Sequence, residues 1–278
     1  MIIDAHQHFW TLARGDYPWP NEDVAAIFKD FGPYDLLPLL KENGVTQTVL
    51  VQATDTVAET QYLLEVGNKC DVVAGVVGWV DLSAPNAVDV IDDLRIDPML
   101  KGLRPMLQNI DSTDWILGED VAVALSHMEQ VGLRFDALIQ PRHLGVVEAL
   151  AQKFPDLQIV IDHVAKPAMG QGQMPDAKWV SEMNSLANFE NVFCKLSGMI
   201  TEIGPEWVFE DIAPFARHIL HCFGPAKTLY GSDWPVVNLA GDYGRWIKVV
   251  ELLLEPFEAF ERDQIMGINA QKFYGLRI

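Results

Sequence analysis

The sequence has few basic residues for its acidic content. Only 20 Lys and Arg stand against 39 Asp and Glu in 278 residues, which gives a formal net charge of −19. Proteins that bind nucleic acid or anionic membrane surfaces do so through clustered Lys and Arg, so this balance argues against both kinds of partner. We expect instead a small, uncharged or weakly polar ligand.

Cysteine is scarce, and long apolar runs are missing. The three cysteines, Cys70, Cys194 and Cys222, are odd in number and widely spaced, which excludes a metal knuckle or a disulfide framework and predicts reduced thiols. No segment approaches the ~20 apolar residues of a membrane-spanning helix, and no basic segment followed by an apolar stretch opens the chain. We therefore expect a soluble, cytoplasmic protein, with a homo-oligomer left open.

Eight short β-rich runs recur along the chain, and segments with helical spacing separate most of them. The predicted strands are 2–5, 48–52, 72–80, 102–104, 134–139, 158–162, 192–196 and 228–230. Several lack the alternation of apolar and polar residues, which is typical of parallel strands buried on both faces. The pattern predicts an α/β fold, a (β/α)8 TIM barrel, as one domain over residues 1–278.

An open, doubly wound sheet is the competing fold. Its dinucleotide-binding form carries a Gly-x-Gly-x-x-Gly turn after the first strand, and this sequence has none there. A long segment, residues 9–32, follows the first predicted strand and contains Tyr17-Pro18-Trp19-Pro20. Loops of this length in compact domains are often functional, so we expect this one to cover a bound substrate.

Polar residues at strand ends mark the predicted catalytic centre, because active sites of such barrels lie at the carboxyl ends of the strands. His6 and His8 end the first strand, and alternate strand residues point to the same side. His163 ends the sixth strand. Asp233 follows the eighth, which neighbours the first in a closed barrel. We predict that these four residues form the catalytic centre.

Five further residues are predicted to contact substrate, and each has a structural alternative. Arg104 ends the fourth strand and is suited to hold an oxygen of the substrate, or it forms an ion pair at the barrel rim. Gln52 ends the second strand and binds a sugar hydroxyl or caps the next loop. Trp10 and Trp234 offer an apolar wall or pack at the rim, and His143 enters the pocket or begins a helix.

Lys195 lies within the seventh predicted strand, where a buried lysine needs a compensating partner. The favoured interpretation is pairing with an acidic neighbour, and a catalytic role is the alternative.

The chain resembles the amidohydrolase superfamily in three motifs that occur in the expected order: Asp4-Ala5-His6-Gln7-His8-Phe9-Trp10, Asp162-His163-x-x-Lys166-Pro167 and Gly231-Ser232-Asp233-Trp234-Pro235. Within that superfamily it is similar to the lactonase branch, which includes sugar-lactone hydrolases such as fuconolactonases and the pyrone-dicarboxylate lactonases. The Tyr17-Pro18-Trp19-Pro20 segment resembles the sugar-lactonase members in particular. The resemblance implies a hydrolase of carbohydrate metabolism.

Members with two metals carry a bridging lysine or acidic ligand on the middle strands and histidines at the ends of strands five and six. Here the fourth strand ends at Leu103-Arg104, and the fifth has no histidine. We therefore expect either no metal or one divalent ion. Zinc accepts N and O donors, so the ligands of a single zinc would be His6, His8, His163 and Asp233.

The predicted reaction is the opening of a sugar lactone (an aldonolactone) to the hydroxy acid. Asp233 activates the attacking water, while His6, His8 and His163 polarise the carbonyl group. The main alternative is decarboxylation of an aromatic or unsaturated acid by a mononuclear metal, with Arg104 holding the carboxylate. A metal nuclease fits the charge of −19 poorly, and a barrel used only for binding would leave the polar groups at the strand ends idle.

Overall fold

Eight parallel strands, paired in chain order, surround the centre of the molecule. A computed structural model describes all 278 residues. The strands are β1 Ile2–Gln7, β2 Val45–Val51, β3 Val73–Gly78, β4 Leu100–Leu103, β5 Arg134–Ala137, β6 Ile159–Ile161, β7 Val192–Leu196 and β8 Thr228–Tyr230. β1 and β8 meet where Gln7, the last residue of β1, pairs with Trp234 beyond the end of β8. The predicted TIM barrel is confirmed.

Helices follow the strands on the outside of the barrel. They are α1 Pro33–Glu42, α2 Val57–Gly67, α3 Ala87–Leu94, α4 Glu119–Val131, α5 Leu144–Lys153, α6 Ala177–Ala187, α7 Phe209–Cys222 and α8 Tyr243–Leu253, with α9 Ala259–Asp263 and α10 Asn269–Tyr274 at the C-terminus. Polar residues begin several of them: the side chains of Thr56 and Asp242 accept from backbone N–H groups in the first turns of α2 and α8, which satisfies donors that a helix leaves free. None of the helices combines the length and apolar character that a bilayer-spanning segment requires.

Two hydrophobic clusters hold the architecture together. The larger one comprises 71 buried residues and includes apolar side chains from all of α1 to α8. The smaller one includes Ile3, Val49, Val77, Val160 and Leu229 from five different strands, together with side chains of α10. Removal of this apolar surface from water is the main term that stabilises the fold. The carboxyl ends of the strands are left for polar groups.

The segment that joins β1 to α1 is long but ordered by specific contacts. Trp10 and Phe31 form an antiparallel bridge with two backbone hydrogen bonds of 3.0 Å. The Thr54 hydroxyl donates to Asp16 O at 2.9 Å, and the Thr56 hydroxyl donates to the Asp16 carboxylate at 3.2 Å. The predicted long loop is therefore fixed to the loop after β2, and it forms one side of the barrel mouth.

Candidate active site

The four residues of the predicted catalytic centre lie side by side at the carboxyl ends of the strands. His6 Nε2 and His8 Nε2 are 3.2 Å apart. Asp233 Oδ1 lies 3.3 Å from His8 Nε2, 3.7 Å from His6 Nε2 and 3.8 Å from His163 Nε2. All four residues are buried. The topology of the barrel thus brings together groups that are more than two hundred residues apart in sequence.

Local backbone structure explains how Asp233 reaches the histidines. Its N–H donates to His6 O at 2.8 Å, and its φ of 58° turns the chain sharply. The preceding Ser232 is anchored to Asp4, which accepts from the Ser232 N–H at 2.8 Å and from its hydroxyl at 2.5 Å. At Gly231 a Cβ atom would lie only 2.8 Å from His6 Cβ. The close approach of β1 and β8 therefore requires glycine at this position.

His163 lies on a left-handed turn that the sequence does not signal. Residues 163–166 all have positive φ, between 49° and 62°, although none of them is glycine. The ring Nδ1 is 2.9 Å from Ser197 Oγ. Gly198, with a φ of 61°, packs against the ring, where a Cβ atom would come within 2.4 Å of Nδ1. The turn and the segment after β7 together fix the direction of the imidazole.

A buried charge network lies beneath His6. Lys195 Nζ is 2.6 Å from Asp136 Oδ2, 2.9 Å from Asp162 Oδ1 and 3.1 Å from His6 Nδ1. Both carboxylates and the lysine are fully buried, so the ammonium offsets negative charge that would otherwise be strongly destabilising. Lys195 pairs with acidic neighbours, as the sequence predicts, and it also contacts His6 of the predicted catalytic centre.

The hydrogen-bond partners determine where protons sit on two of the rings. An ammonium group only donates, so His6 Nδ1 accepts from Lys195 and the ring proton lies on Nε2. His8 Nδ1 lies 2.7 Å from the carbonyl oxygen of Val51, which only accepts, so this ring carries its proton on Nδ1. The His8 Nε2 atom is then free to accept from His6 Nε2–H.

Burial and charge tune the ionisation of the centre. Burial would raise the pKa of Asp233, but the contacts with His163, His8 and His6 outweigh it and hold this pKa below its ordinary value. Burial lowers the pKa of His163 from 6.5 to about 4 and lowers that of His6 well below its ordinary value. Near neutral pH the site thus holds an ionised carboxylate beside neutral His6 and His163, the protonation states that a general base with neutral hydrogen-bond donors requires.

Arg104 forms the wall of the site opposite Asp233 and is held by Gln52. Arg104 Nη1 lies 3.4 Å from both His6 Nε2 and Asp162 Oδ2. Its Nη2 donates to the backbone oxygen of Gln52 and, at 3.0 Å, to the Gln52 side chain. The Gln52 amide donates back to Arg104 O at 2.9 Å. Arg104 lines the cavity, whereas Gln52 lies behind it and orients the guanidinium.

A cavity of about 470 Å³ opens above these groups, a size typical of small-molecule sites. Its floor is formed by His8, Arg104, His163 and Asp233. Higher up, polar side chains alternate with apolar ones: Thr54, Asp55, Gln108, Asn109, Lys166, Thr201 and Glu202 with Pro18, Trp19, Met106, Leu138, Val236 and Leu239. The mixture suits a ligand with several hydroxyl groups and one less polar face.

Besides Gln52, three other residues predicted to contact substrate lie outside this lining. Trp10 is fully buried, and its indole N–H donates to Lys29 O at 2.7 Å. Trp234 packs edge to face against Phe31. His143 is buried, and its Nδ1 accepts from the Gln140 N–H at 3.1 Å. Trp10 and Trp234 therefore pack within the protein, and His143 lies at the start of a helix, which are the structural alternatives given for these residues.

Other lining residues were not singled out from the sequence. Trp19 belongs to the Tyr17-Pro18-Trp19-Pro20 segment of the loop that we expect to cover a substrate, and its side chain lines the cavity. Lys166 is part of a recognised motif, but nothing in the sequence gives it a partner. Glu202 lies beyond β7 in a segment without any pattern, and only the fold brings it to the cavity.

The donor set fits one divalent metal. His6 Nε2, His8 Nε2 and Asp233 Oδ1 are separated by 3.2–3.7 Å, close to the ~3.3 Å between two donors that bind one tetrahedral zinc at ~2.0–2.1 Å. His8 Nε2 and the Asp233 carboxylate are both acceptors 3.3 Å apart, and a cation between them would relieve the repulsion of their lone pairs. Asp162, the remaining nearby carboxylate, already pairs with Lys195, and the residues therefore do not fit a second metal.

Comparisons with known proteins identify the family of the chain. A family model described as amidohydrolase matches residues 3–276. The chain is 44% identical to an L-fucono-1,5-lactonase of Burkholderia ambifaria over 98% of this chain and 94% of that protein. It is 34% identical to an L-fucono-1,5-lactonase of Burkholderia multivorans over 99% of this chain and 96% of that protein. A crystal structure of a Burkholderia multivorans amidohydrolase with bound zinc superposes with a TM-score of 0.93 at 31% identity, covering 100% of both chains.

Proposed function

The chain belongs to the amidohydrolase family, and we propose that it is a lactonase that opens a sugar lactone, an aldonolactone, to the corresponding hydroxy acid. The observation that carries the proposal is a buried, ionised Asp233 on the floor of a cavity lined by polar side chains, with its Oδ1 within 3.3–3.8 Å of three histidines. The two L-fucono-1,5-lactonases, aligned over nearly their whole length, support sugar-lactone hydrolysis as the reaction class.

In the first step Asp233 removes a proton from a water molecule, and the water oxygen forms a bond to the lactone carbonyl carbon. A positioned base accelerates such a step by ~10²–10⁴-fold. The lowered pKa of Asp233 keeps the carboxylate ionised, so it is ready to accept at neutral pH. Its backbone, fixed between β1 and β8, holds the oxygen in place.

The negative charge on the carbonyl oxygen is stabilised by donors on the opposite wall. His163 presents Nε2–H when the Ser197 hydroxyl donates to its Nδ1, a contact of 2.9 Å. Arg104 Nη1, which lines the cavity, offers a second donor close by. Donors that are fixed before the reaction stabilise a tetrahedral intermediate effectively, and losing one of them typically costs ~10²–10³-fold in rate.

In the second step the bond between the carbonyl carbon and the ring oxygen breaks. Protonated Asp233 returns its proton to the departing alkoxide, which remains part of the same molecule. The products are a free hydroxyl group and a carboxylic acid, which ionises and releases one proton. Asp233 ends the cycle as a carboxylate.

His6, His8 and Asp233 would hold a single divalent ion such as zinc, with His163 adjacent. When bound, such an ion supplies Lewis-acid polarisation of an oxygen. The His6 ring proton would then lie on Nδ1, 3.4 Å from Asp162 Oδ1 as its acceptor, which leaves the Nε2 lone pair for the ion, while Lys195 would keep its contacts with Asp136 and Asp162. Asp233 would still take the proton from the attacking water and return it to the departing alkoxide.

A proton-release assay on a panel of aldono-1,4- and aldono-1,5-lactones, with and without chelator, tests the proposal. We expect hydrolysis of at least one lactone, and loss of at least ~10²-fold in kcat for Asp233→Asn. Glu206→Gln, an exposed change outside the cavity, is the matched control. Near-normal turnover by Asp233→Asn would remove the residue from the role of base.

Decarboxylation, the alternative reaction, has less support. It needs a basic group free to bind a carboxylate, and Arg104 is already engaged with Gln52 and Asp162. Release of CO2 from an aromatic acid, together with failure of every lactone in the panel, would reverse the proposal.

A further inference from the structure

Two oppositely charged side chains face each other at the mouth of the cavity. Lys166 Nζ lies 2.9 Å from Glu202 Oε1, with side-chain exposures of 20% and 31%. Both residues line the cavity. Lys166 ends the left-handed turn that also carries His163, while Glu202 belongs to the segment after β7 that carries Ser197 and Gly198. The pair therefore connects the two segments that fix the catalytic imidazole.

The remaining charges of the cavity leave no cation free. Besides Lys166, the lining contains one other permanent cation, Arg104, which lies 3.4 Å from the Asp162 carboxylate and is held by Gln52. Asp55 and Asp233 add negative charge to the same lining. A carboxylate on a bound molecule would thus enter a region of negative charge without a partner, which is costly in a partly desolvated cavity.

We propose that the Lys166–Glu202 pair determines specificity by selecting uncharged polyhydroxy lactones over lactones that bear a carboxylate. The inference rests on the proposed lactonase function. A paired ammonium and carboxylate offer hydroxyl groups both donors and acceptors while contributing no net charge. Specificity then arises from rejection of the charged competitor as well as from binding of the neutral substrate.

The same pair favours release of the product. Hydrolysis converts a neutral lactone into a hydroxy acid that carries a carboxylate, so charge appears only after the reaction. An unpaired Lys166 would attract this carboxylate and retain the product at the mouth of the cavity. Neutralisation by Glu202 removes that attraction, and Asp233 repels the product from the floor.

The variant Glu202→Gln tests the proposal, because it keeps the size of the side chain but frees the charge of Lys166. The assay compares kcat/KM for the aldono-1,4-lactone that the wild type turns over fastest with kcat/KM for the aldaro-1,4-lactone of the same configuration, which differs by a carboxylate at the far end. Calorimetry of the aldonate product measures binding without turnover. Lys166→Met/Glu202→Gln and the exposed Glu206→Gln serve as controls.

We expect Glu202→Gln to raise the aldaro-to-aldono ratio by about tenfold and to tighten aldonate binding by a similar factor, since one uncompensated charge near a surface acts at this scale. The double variant should return both quantities toward wild type, and Glu206→Gln should leave them unchanged. The proposal would be overturned if the aldaro-to-aldono ratio of kcat/KM in folded Glu202→Gln stays within about twofold of wild type, or if its increase persists in the double variant. Either result would leave the lactonase function intact. Failure of the wild type on every lactone would overturn both.

Discussion

Neutral, buried His163 should make the protein less stable as the pH falls below neutrality. In the unfolded chain the imidazole titrates near 6.5, whereas in the folded protein burial lowers its pKa to about 4. Between these values the unfolded state binds a proton that the folded state does not, so stability decreases with decreasing pH. The contribution is fully present above the unfolded pKa and is lost as the pH falls toward the folded pKa.

The size of the effect follows from the two pKa values. On moving from about pH 7.5 to about pH 5, one group with this difference reduces the free energy of unfolding by about 2 kcal/mol. Burial also lowers the pKa of His6, so the wild type should lose more than this. Comparison with His163→Asn isolates the part that belongs to His163, because His6 is retained in both proteins.

Urea unfolding at these two pH values measures the difference. We expect the loss of stability on acidification to be about 2 kcal/mol smaller in His163→Asn than in the wild type. His221→Gln, which removes an exposed imidazole from α7, is the control for the loss of one histidine. If wild type and His163→Asn lose the same stability, His163 is not held neutral by its surroundings, and its role as a neutral donor would have to be abandoned.

Two further predictions concern the structural support of the site. Ala165 has a φ of 62°, where an L-residue is strained by ~1–2 kcal/mol, so Ala165→Gly should relieve this strain. The control is Ala151→Gly, at an equally buried position within α5, where glycine should cost ~1 kcal/mol. Urea unfolding should therefore find Ala165→Gly more stable than Ala151→Gly by about 2 kcal/mol, and equal stabilities would argue against strain in the turn. Lys195→Met leaves Asp136 without its counter-charge and should lower the free energy of unfolding by about 3–5 kcal/mol. The double variant Lys195→Met/Asp136→Asn should recover part of this loss. An unaltered unfolding midpoint in the single variant would contradict the charge network.

The strand ends were the most informative part of the sequence. Parallel strands of a barrel end at one face, so His6, His8, His163 and Asp233 could be placed together without knowledge of any contact. Their proximity was predictable because His6 lies near the end of β1 and each of the other three follows its strand within three positions. Strand ends themselves were less accurate: β5 ends at Ala137, two residues before the predicted bound, since the run of apolar residues continues into the loop.

Contacts between distant segments could not be predicted from the positions of strand ends. Trp10 and Trp234 lie within two positions of His8 and Asp233, which we propose to be catalytic, yet both pack against Phe31 in the loop after β1. Gln52 directly follows β2, but Arg104 engages both of its side-chain polar atoms: Oε1 accepts from the guanidinium and the amide donates to the backbone oxygen. Sequence neighbours of a catalytic residue need not face the substrate.

The left-handed turn at residues 163–166 shows how the site depends on the rest of the fold. Glycine, asparagine and aspartate tolerate this conformation best, and the β-branched Val164 is among the least suited residues, so local preference opposes the turn. Tertiary contacts offset the cost: the Trp179 indole donates to Val164 O at 3.1 Å, Ser197 contacts the His163 ring, and Lys166 pairs with Glu202. Two of these three contacts involve side chains that face the cavity. The conformation that aims His163 at the substrate is therefore maintained by the same ion pair to which we assign substrate selection.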